Sequence, residues 1–197
     1  MLLELRRSAR GRGWGARSAL WLALLGCGCS IRPDPVRWPA STSIFGLRGN
    51  WSDEHGQQQQ FSRWQGKPLV LTMFYRSCQT RCPLTLSKLQ RVASALKARN
   101  IQANFVLVTL DPRNDTPEHL AAFKSAHGLP EDSWHLLNGN DQQTKGLAHL
   151  LGLRVAYDEG HIDHDVKIWF FDAEGYPLHV YSGWGFDDDA LTPTQPH

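Results

Sequence analysis

Two cysteines in Cys78-Gln79-Thr80-Arg81-Cys82-Pro83 stand directly after the apolar run Leu69-Val70-Leu71-Thr72-Met73-Phe74-Tyr75, and the other two, Cys27 and Cys29, fall within the first thirty residues. A thiol pair held at the end of a buried strand suits reversible disulfide formation or capture of a soft metal ion. A purely structural disulfide would close a very short loop and remove little chain entropy, so it would be a poor stabiliser. The helix start expected after the pair, together with Arg81 and Arg76, favours negative charge on sulfur. At least one thiol is therefore expected to titrate below the free-cysteine value.

The chain has nine histidines. His164, in Ile162-Asp163-His164-Asp165-Val166, immediately precedes a predicted strand, and Asp163 or Asp165 is placed to orient its ring. Two thiolates and one imidazole make a soft, low-coordination site that suits Cu(I) and can also hold Cu(II). A structural zinc site would want a fourth ligand. A histidine at a strand edge also serves as surface or core filler, and His161 is a rival three positions away. His55, His119, His127, His135, His149, His179 and His197 have no motif context and are read as surface or packing residues.

The elements that must position these groups follow from the apolar pattern. Residues 45–64 are polar and Gln-rich with isolated aromatics, which suggests a small N-terminal hairpin. Residues 67–75 are nearly continuous in apolar character, as in a strand covered on both faces. Pro83 suits a first helical turn, and Leu86, Leu89, Val92, Ala93 and Leu96 recur at helical spacing up to a stop at Asn100. Because proline disfavours the helical region for its predecessor, Cys82 is expected as a cap and Cys78 as a loop residue. A strand over 101–110 follows, then a helix capped by Thr116 that closes near Gly128, a short strand over 134–137, and a helix from Asn140 or Asp141 through Leu150. Residues 166–171 and 176–181 flank Asp172-Ala173-Glu174-Gly175, a hairpin signal. The order βαβαβαββ predicts an α/β fold with a central mixed β-sheet flanked by helices. The cysteine loop then lies beyond the carboxyl ends of the strands, where such sheets bind ligands.

The start of the chain reads as a bacterial export signal. Arg6, Arg7, Arg10, Arg12 and Arg17 precede the apolar stretch Ala19-Leu20-Trp21-Leu22-Ala23-Leu24-Leu25, which is too short to span a bilayer. It ends in Leu24-Leu25-Gly26-Cys27, which resembles a lipobox with Cys27 as the lipidated residue. The expected organisation is a signal peptide over 1–26, a Pro-rich tether over 27–43, one folded domain over 44–185 and an irregular tail over 186–197. Cleavage before Cys27 removes five of 21 basic and one of 19 acidic residues, leaving 16 against 18 and a formal charge of −2. No Lys/Arg stripe of the kind nucleic-acid binding requires is present, which argues against a nucleic-acid partner.

The chain resembles the Sco/SenC family of copper-handling, thioredoxin-like proteins over most of 45–183. The residues that carry the resemblance are Gly66-Lys67-Pro68, Phe74-Tyr75-Arg76-Ser77-Cys78-Gln79-Thr80-Arg81-Cys82-Pro83, and Thr109-Leu110-Asp111-Pro112-Arg113-Asn114-Asp115-Thr116-Pro117-Glu118. They continue with Asp163-His164 ahead of Lys167-Ile168-Trp169-Phe170-Phe171-Asp172-Ala173-Glu174-Gly175. The resemblance implies a thioredoxin-like fold and copper ligands at Cys78, Cys82 and His164. It also implies a role in delivering copper to, or keeping thiols reduced in, the CuA centre of cytochrome c oxidase, from the periplasmic face of a membrane. This chain departs from the family pattern with Arg76 and Gln79 around the first cysteine, Arg113-Asn114 in the second motif, and no apolar period after Gly185.

The leading expectation is a membrane-tethered copper chaperone whose partner is the CuA-bearing oxidase subunit or another copper-transfer protein. A thiol:disulfide oxidoreductase acting through Cys78 and Cys82 is the alternative, and it does not need His164. A peroxidase reading is weak because Tyr75 stands where a peroxiredoxin-type Thr would. Asp111 reads either as a residue that tunes the site or as a turn residue before Pro112.

Overall fold

The computed structural model describes residues 38–78, 81–158 and 161–183. The expected signal peptide, Cys27, most of the tether and the tail over 186–197 lie outside them. In chain order the elements are a 3-10 turn at Ile44–Gly46, β1 (Trp51–Asp53), β2 (Gln58–Gln59), a 3-10 turn at Phe61–Trp64, β3 (Leu69–Phe74), α1 (Arg81–Ala98) and β4 (Asn104–Thr109). There follow α2 (Pro117–Ala126), β5 (Trp134–Asn138), α3 (Asp141–Leu150), β6 (Val155–Asp158), β7 (His161–His164), β8 (Lys167–Phe171) and β9 (Pro177–Ser182).

The main sheet has seven strands in the order β2-β1-β5-β4-β3-β8-β9. All six residues of β3 and all six of β4 are buried, which is why both are mostly apolar, broken only by Thr72 in β3 and by Asn104 and Thr109 at the ends of β4. They pair in parallel from Leu69 opposite Asn104 to Phe74 opposite Thr109, and β5 extends the parallel set beside β4. The terminal hairpin of β8 and β9 joins the other edge of β3 in antiparallel register, with Leu71 opposite Trp169. The result is the expected mixed sheet flanked by helices, a thioredoxin-like arrangement. The N-terminal hairpin also forms, and through β1 opposite β5 it becomes an edge of the main sheet.

Local signals account for most helix ends. Thr116 caps α2 by accepting from His119 N–H, and Pro117 opens it. Asn140 and Gln143 form a reciprocal capping box at α3. Asn100, at φ 59°, takes the left-handed conformation that ends α1. Gly175, at φ +87°, turns the terminal hairpin, and a Cβ there would collide with Ser43 Oγ and meet the Phe45 ring at 2.6 Å. That close approach seats the start of the folded chain, where Ser43 Oγ donates to Glu174 O at 2.6 Å and Trp38 packs edge-on against Phe171.

Two expectations need correction. Residues 155–164 form a separate antiparallel hairpin of β6 and β7, with Val155 opposite His164, which the predicted order lacked. Every residue of β6 is at least partly exposed, so burial left no apolar run to read. Cys82 lies inside the first turn of α1 and not before it. Pro83 needs no N–H there, and the turn draws Cys82 inward to 7% exposure.

Candidate metal centre

β3 delivers Tyr75 and the cysteine loop at its carboxyl end, and β4 delivers the turn containing Asp115 beside it. Cys78 and Cys82 are not joined in a disulfide and are buried at 9% and 7% exposure. Cys82 N–H, one of the orphan donors of a helix start, donates to Cys78 Sγ at 3.4 Å. The Cys82 thiol and the Tyr75 hydroxyl also hydrogen-bond to the Cys78 sulfur, so donors converge on that atom.

Burial pushes the Cys82 thiol up to about 12, against a hydrogen bond from the Tyr75 backbone, with the Cys78 sulfur and Asp115 adding to the rise. Cys82 is therefore not the thiol that meets the expectation of at least one lowered value. The two arginines that should have lowered it are engaged elsewhere. Arg81 Nη1 donates to Asp163 Oδ1 at 2.8 Å and to His164 O at 2.6 Å. Arg76 donates its backbone N–H to Asp115 Oδ2 at 3.0 Å, and its Nε lies 3.5 Å from Asp115 Oδ1.

Asp115 is 1% exposed and takes a further hydrogen bond from Thr109 Oγ1 at 2.6 Å. Its backbone carbonyl accepts from Asn138 Nδ2 at 2.6 Å, so the residue bolts the cysteine loop to the ends of β4 and β5. Burial raises its pKa against the Thr109 and Arg76 hydrogen bonds. Asp111 is a turn residue: its carbonyl accepts from Asn114 and Asp115 N–H, and its carboxylate accepts from Asn114 Nδ2.

β7 alternates exposed, buried, exposed, buried, which turns Ile162 and His164 inward and His161 and Asp163 outward. That parity buries His164 and leaves its rival His161 exposed, edge-on to the Tyr75 ring at 6.4 Å. His164 Nδ1 lies 2.8 Å from Asp165 O, which assigns the ring proton to Nδ1 and leaves Nε2 with its lone pair. Nε2 is buried and has no hydrogen-bond partner. Burial lowers the His164 pKa, so the ring is neutral at neutral pH, the form that ligates metal. The orienting group is thus a backbone carbonyl and not the expected carboxylate. Asp163 is taken by Arg81, and Asp165 by Arg154 through N at 2.9 Å and Nε at 3.2 Å.

Tyr75, 4% exposed, is the residue at this site whose contacts sequence reasoning passed over. Its ring meets that of His164 edge-on, centroids 5.7 Å apart, while its hydroxyl contacts the Cys78 sulfur and the Ile162 backbone. The run Phe74-Tyr75 gave no sign of this, because both residues read as strand core. The imidazole and the sulfurs share this neighbour, yet the three donors do not gather within 4.8 Å of one another. Among the described residues, the trio that does is Glu54, His55 and Glu131. There the buried ammonium of Lys124 already supplies the cation, bonded to Glu54 and to Glu131 Oε2 at 2.7 Å.

Of the other described histidines, His135 lies tilted against Trp64 at 5.2 Å, His127 against Phe123 at 4.1 Å, and His119 Nδ1 bonds Asn114 O at 2.7 Å.

The SCO1/SenC family model matches residues 43–192. The chain belongs to the SCO1/SenC family. The SCO1 protein homolog of Bacillus subtilis is 25% identical over 168 residues, covering 83% of this chain and 84% of that one. A SCO1/SenC family lipoprotein from Bacillus anthracis superposes with a TM-score of 0.68 at 22% identity, over 75% of this chain and 91% of its own. Arabidopsis thaliana ScoI with copper bound superposes with a TM-score of 0.67 at 21% identity, over 75% and 93%. At these identities the structural matches establish the thioredoxin-like fold.

Proposed function

We propose that this SCO1/SenC protein is a copper carrier that binds one copper ion through Cys78, Cys82 and His164. It passes the ion by ligand exchange to the CuA-bearing subunit of cytochrome c oxidase or to another copper-transfer protein. The observation that carries this reading is His164 Nε2, a neutral donor buried without a partner and packed on the tyrosine that also contacts both sulfurs. An unpaired buried polar atom costs roughly 1–3 kcal/mol, and ligation would give it a partner. Two sulfurs and one imidazole are soft donors matched to copper. The copper-bound Arabidopsis relative supports the same cargo.

Copper titration of the reduced protein tests the reading. One ion per chain is expected, with binding abolished by Cys78→Ala or Cys82→Ala and weakened by His164→Ala. Binding indifferent to the last substitution removes His164 from the site.

The protein faces the periplasm from a membrane of the cell envelope, held by lipid on Cys27. The lipoprotein from Bacillus anthracis supports this. Mass spectrometry of the N-terminal peptide from the membrane fraction checks it, with Cys27→Ser expected to release the protein.

The contact between the two thiols favours a second reading, thiol:disulfide exchange. Cys78 would attack a partner disulfide, forming a mixed disulfide and releasing a partner thiolate. Cys82, losing its proton, would then attack Cys78, releasing the second partner thiolate and leaving a Cys78–Cys82 disulfide. The partner gains two electrons that an external donor must return. A reduction potential too low for any periplasmic donor excludes turnover.

A further inference from the structure

Tyr75 contacts each of the three proposed copper ligands through a different group. Its backbone N–H donates to the Cys82 sulfur, its hydroxyl bonds the Cys78 sulfur, and its ring lies edge-on against His164. The same hydroxyl accepts from Ile162 N–H, the neighbour of His164 on β7 two positions back, so the phenol links the thiol loop to the strand that carries the imidazole. At 4% exposure little water can replace these bonds. The donors nevertheless stand too far apart to share an ion, since they do not gather within 4.8 Å.

We propose that Tyr75 is a latch on the copper-free site: its hydroxyl on Cys78 and its ring on His164 keep the three donors from closing on one ion, and copper capture requires the phenol to release both. Tyr75 is a positioning residue and not a ligand. This inference rests on the reading of Cys78, Cys82 and His164 as the copper donors. The latch confines the rearrangement on loading to the Tyr75 side chain and the donors it touches. It also gives ligand exchange a direction, because the phenol returns to sulfur and imidazole as copper leaves.

The test reads Ile162 amide hydrogen exchange and copper capture in parallel. In the copper-free protein, Tyr75→Phe keeps the ring but removes the acceptor, so the Ile162 amide is expected to exchange about five-fold faster, the factor an ordinary net hydrogen bond represents. Loading the unsubstituted protein with Cu(I) is expected to accelerate Ile162 exchange to a similar degree, a readout that needs no variant. In stopped flow, Tyr75→Phe is expected to take Cu(I) from a chromophoric chelator about five-fold faster. Unchanged Ile162 protection on loading, or equal capture rates, overturns the latch. Absence of stoichiometric copper binding overturns instead the reading on which it rests, and the titration end point tells the two failures apart.

Discussion

Arg81, in the first turn of α1, donates to the carbonyl oxygen of His164 at 2.6 Å, across 83 positions of sequence. The loop bearing both thiols and the strand bearing the imidazole are thereby tied at one point, with the Asp163 carboxylate closing the clamp at 2.8 Å.

Arg81→Gln tests that clamp. The Arg81–Asp163 ion pair is partly exposed and contributes little to folding, so the stability loss should be about 1 kcal/mol or less by urea denaturation. Copper retention should suffer more, because the imidazole loses its fixed position relative to the thiols. A roughly ten-fold faster release to a chelator is expected, with Asp163→Asn, which keeps the bond to the carbonyl, showing a smaller change.

Asp115 should matter to folding as well as to the loop. Asp115→Ala leaves the Thr109 hydroxyl and the Arg76 amide without their acceptor in a buried setting. A loss of about 2 kcal/mol is expected from the denaturation midpoint. Asp115→Asn, which keeps one acceptor oxygen, should recover part of it.

His135 supplies a pH dependence separate from the copper site. Burial depresses its pKa from 6.5 to about 4 in the folded protein. The unfolded chain therefore binds the proton more readily, so the contribution is complete above pH 6.5 and is lost as pH falls toward 4. Between pH 7.5 and pH 4 the native protein should lose about 3 kcal/mol more stability than His135→Phe, which keeps a ring against Trp64. Equal losses in denaturant titrations at the two pH values would refute this.

The ion cluster around Lys124 is expected to be structural. Lys124 is 1% exposed and Glu54 is 4% exposed, with Glu54 Oε2 also accepting from Leu136 N–H at 2.9 Å. Lys124→Met strands a buried carboxylate and should cost about 3–5 kcal/mol. Adding Glu54→Gln should restore part of that loss, while the copper stoichiometry of each folded variant stays at one.

What could be read in the sequence was whatever its own neighbours decide. Leu69–Phe74 announced a doubly covered strand because all six residues are apolar or tolerated in a core. Thr116 and Asn140 announced helix starts because capping is a contact within four residues. The hairpin of β6 and β7 stayed hidden because its strands are defined by pairing with each other and not by burial of an apolar run. The direction of Arg81 was misread for a related reason. Proximity in sequence pointed it at sulfur, whereas its partners arrive from Asp163 and His164. Tyr75 acquired its role through contacts with residues 162 and 164, which no local pattern encodes.

X-ray absorption at the copper edge of the loaded protein, compared with loaded His164→Ala, tests the central claim most directly. The account predicts two sulfur scatterers and one imidazole nitrogen around a single copper, with the imidazole signature lost in the variant. A first shell of sulfur alone in the unsubstituted protein, or identical spectra from the two, would contradict it.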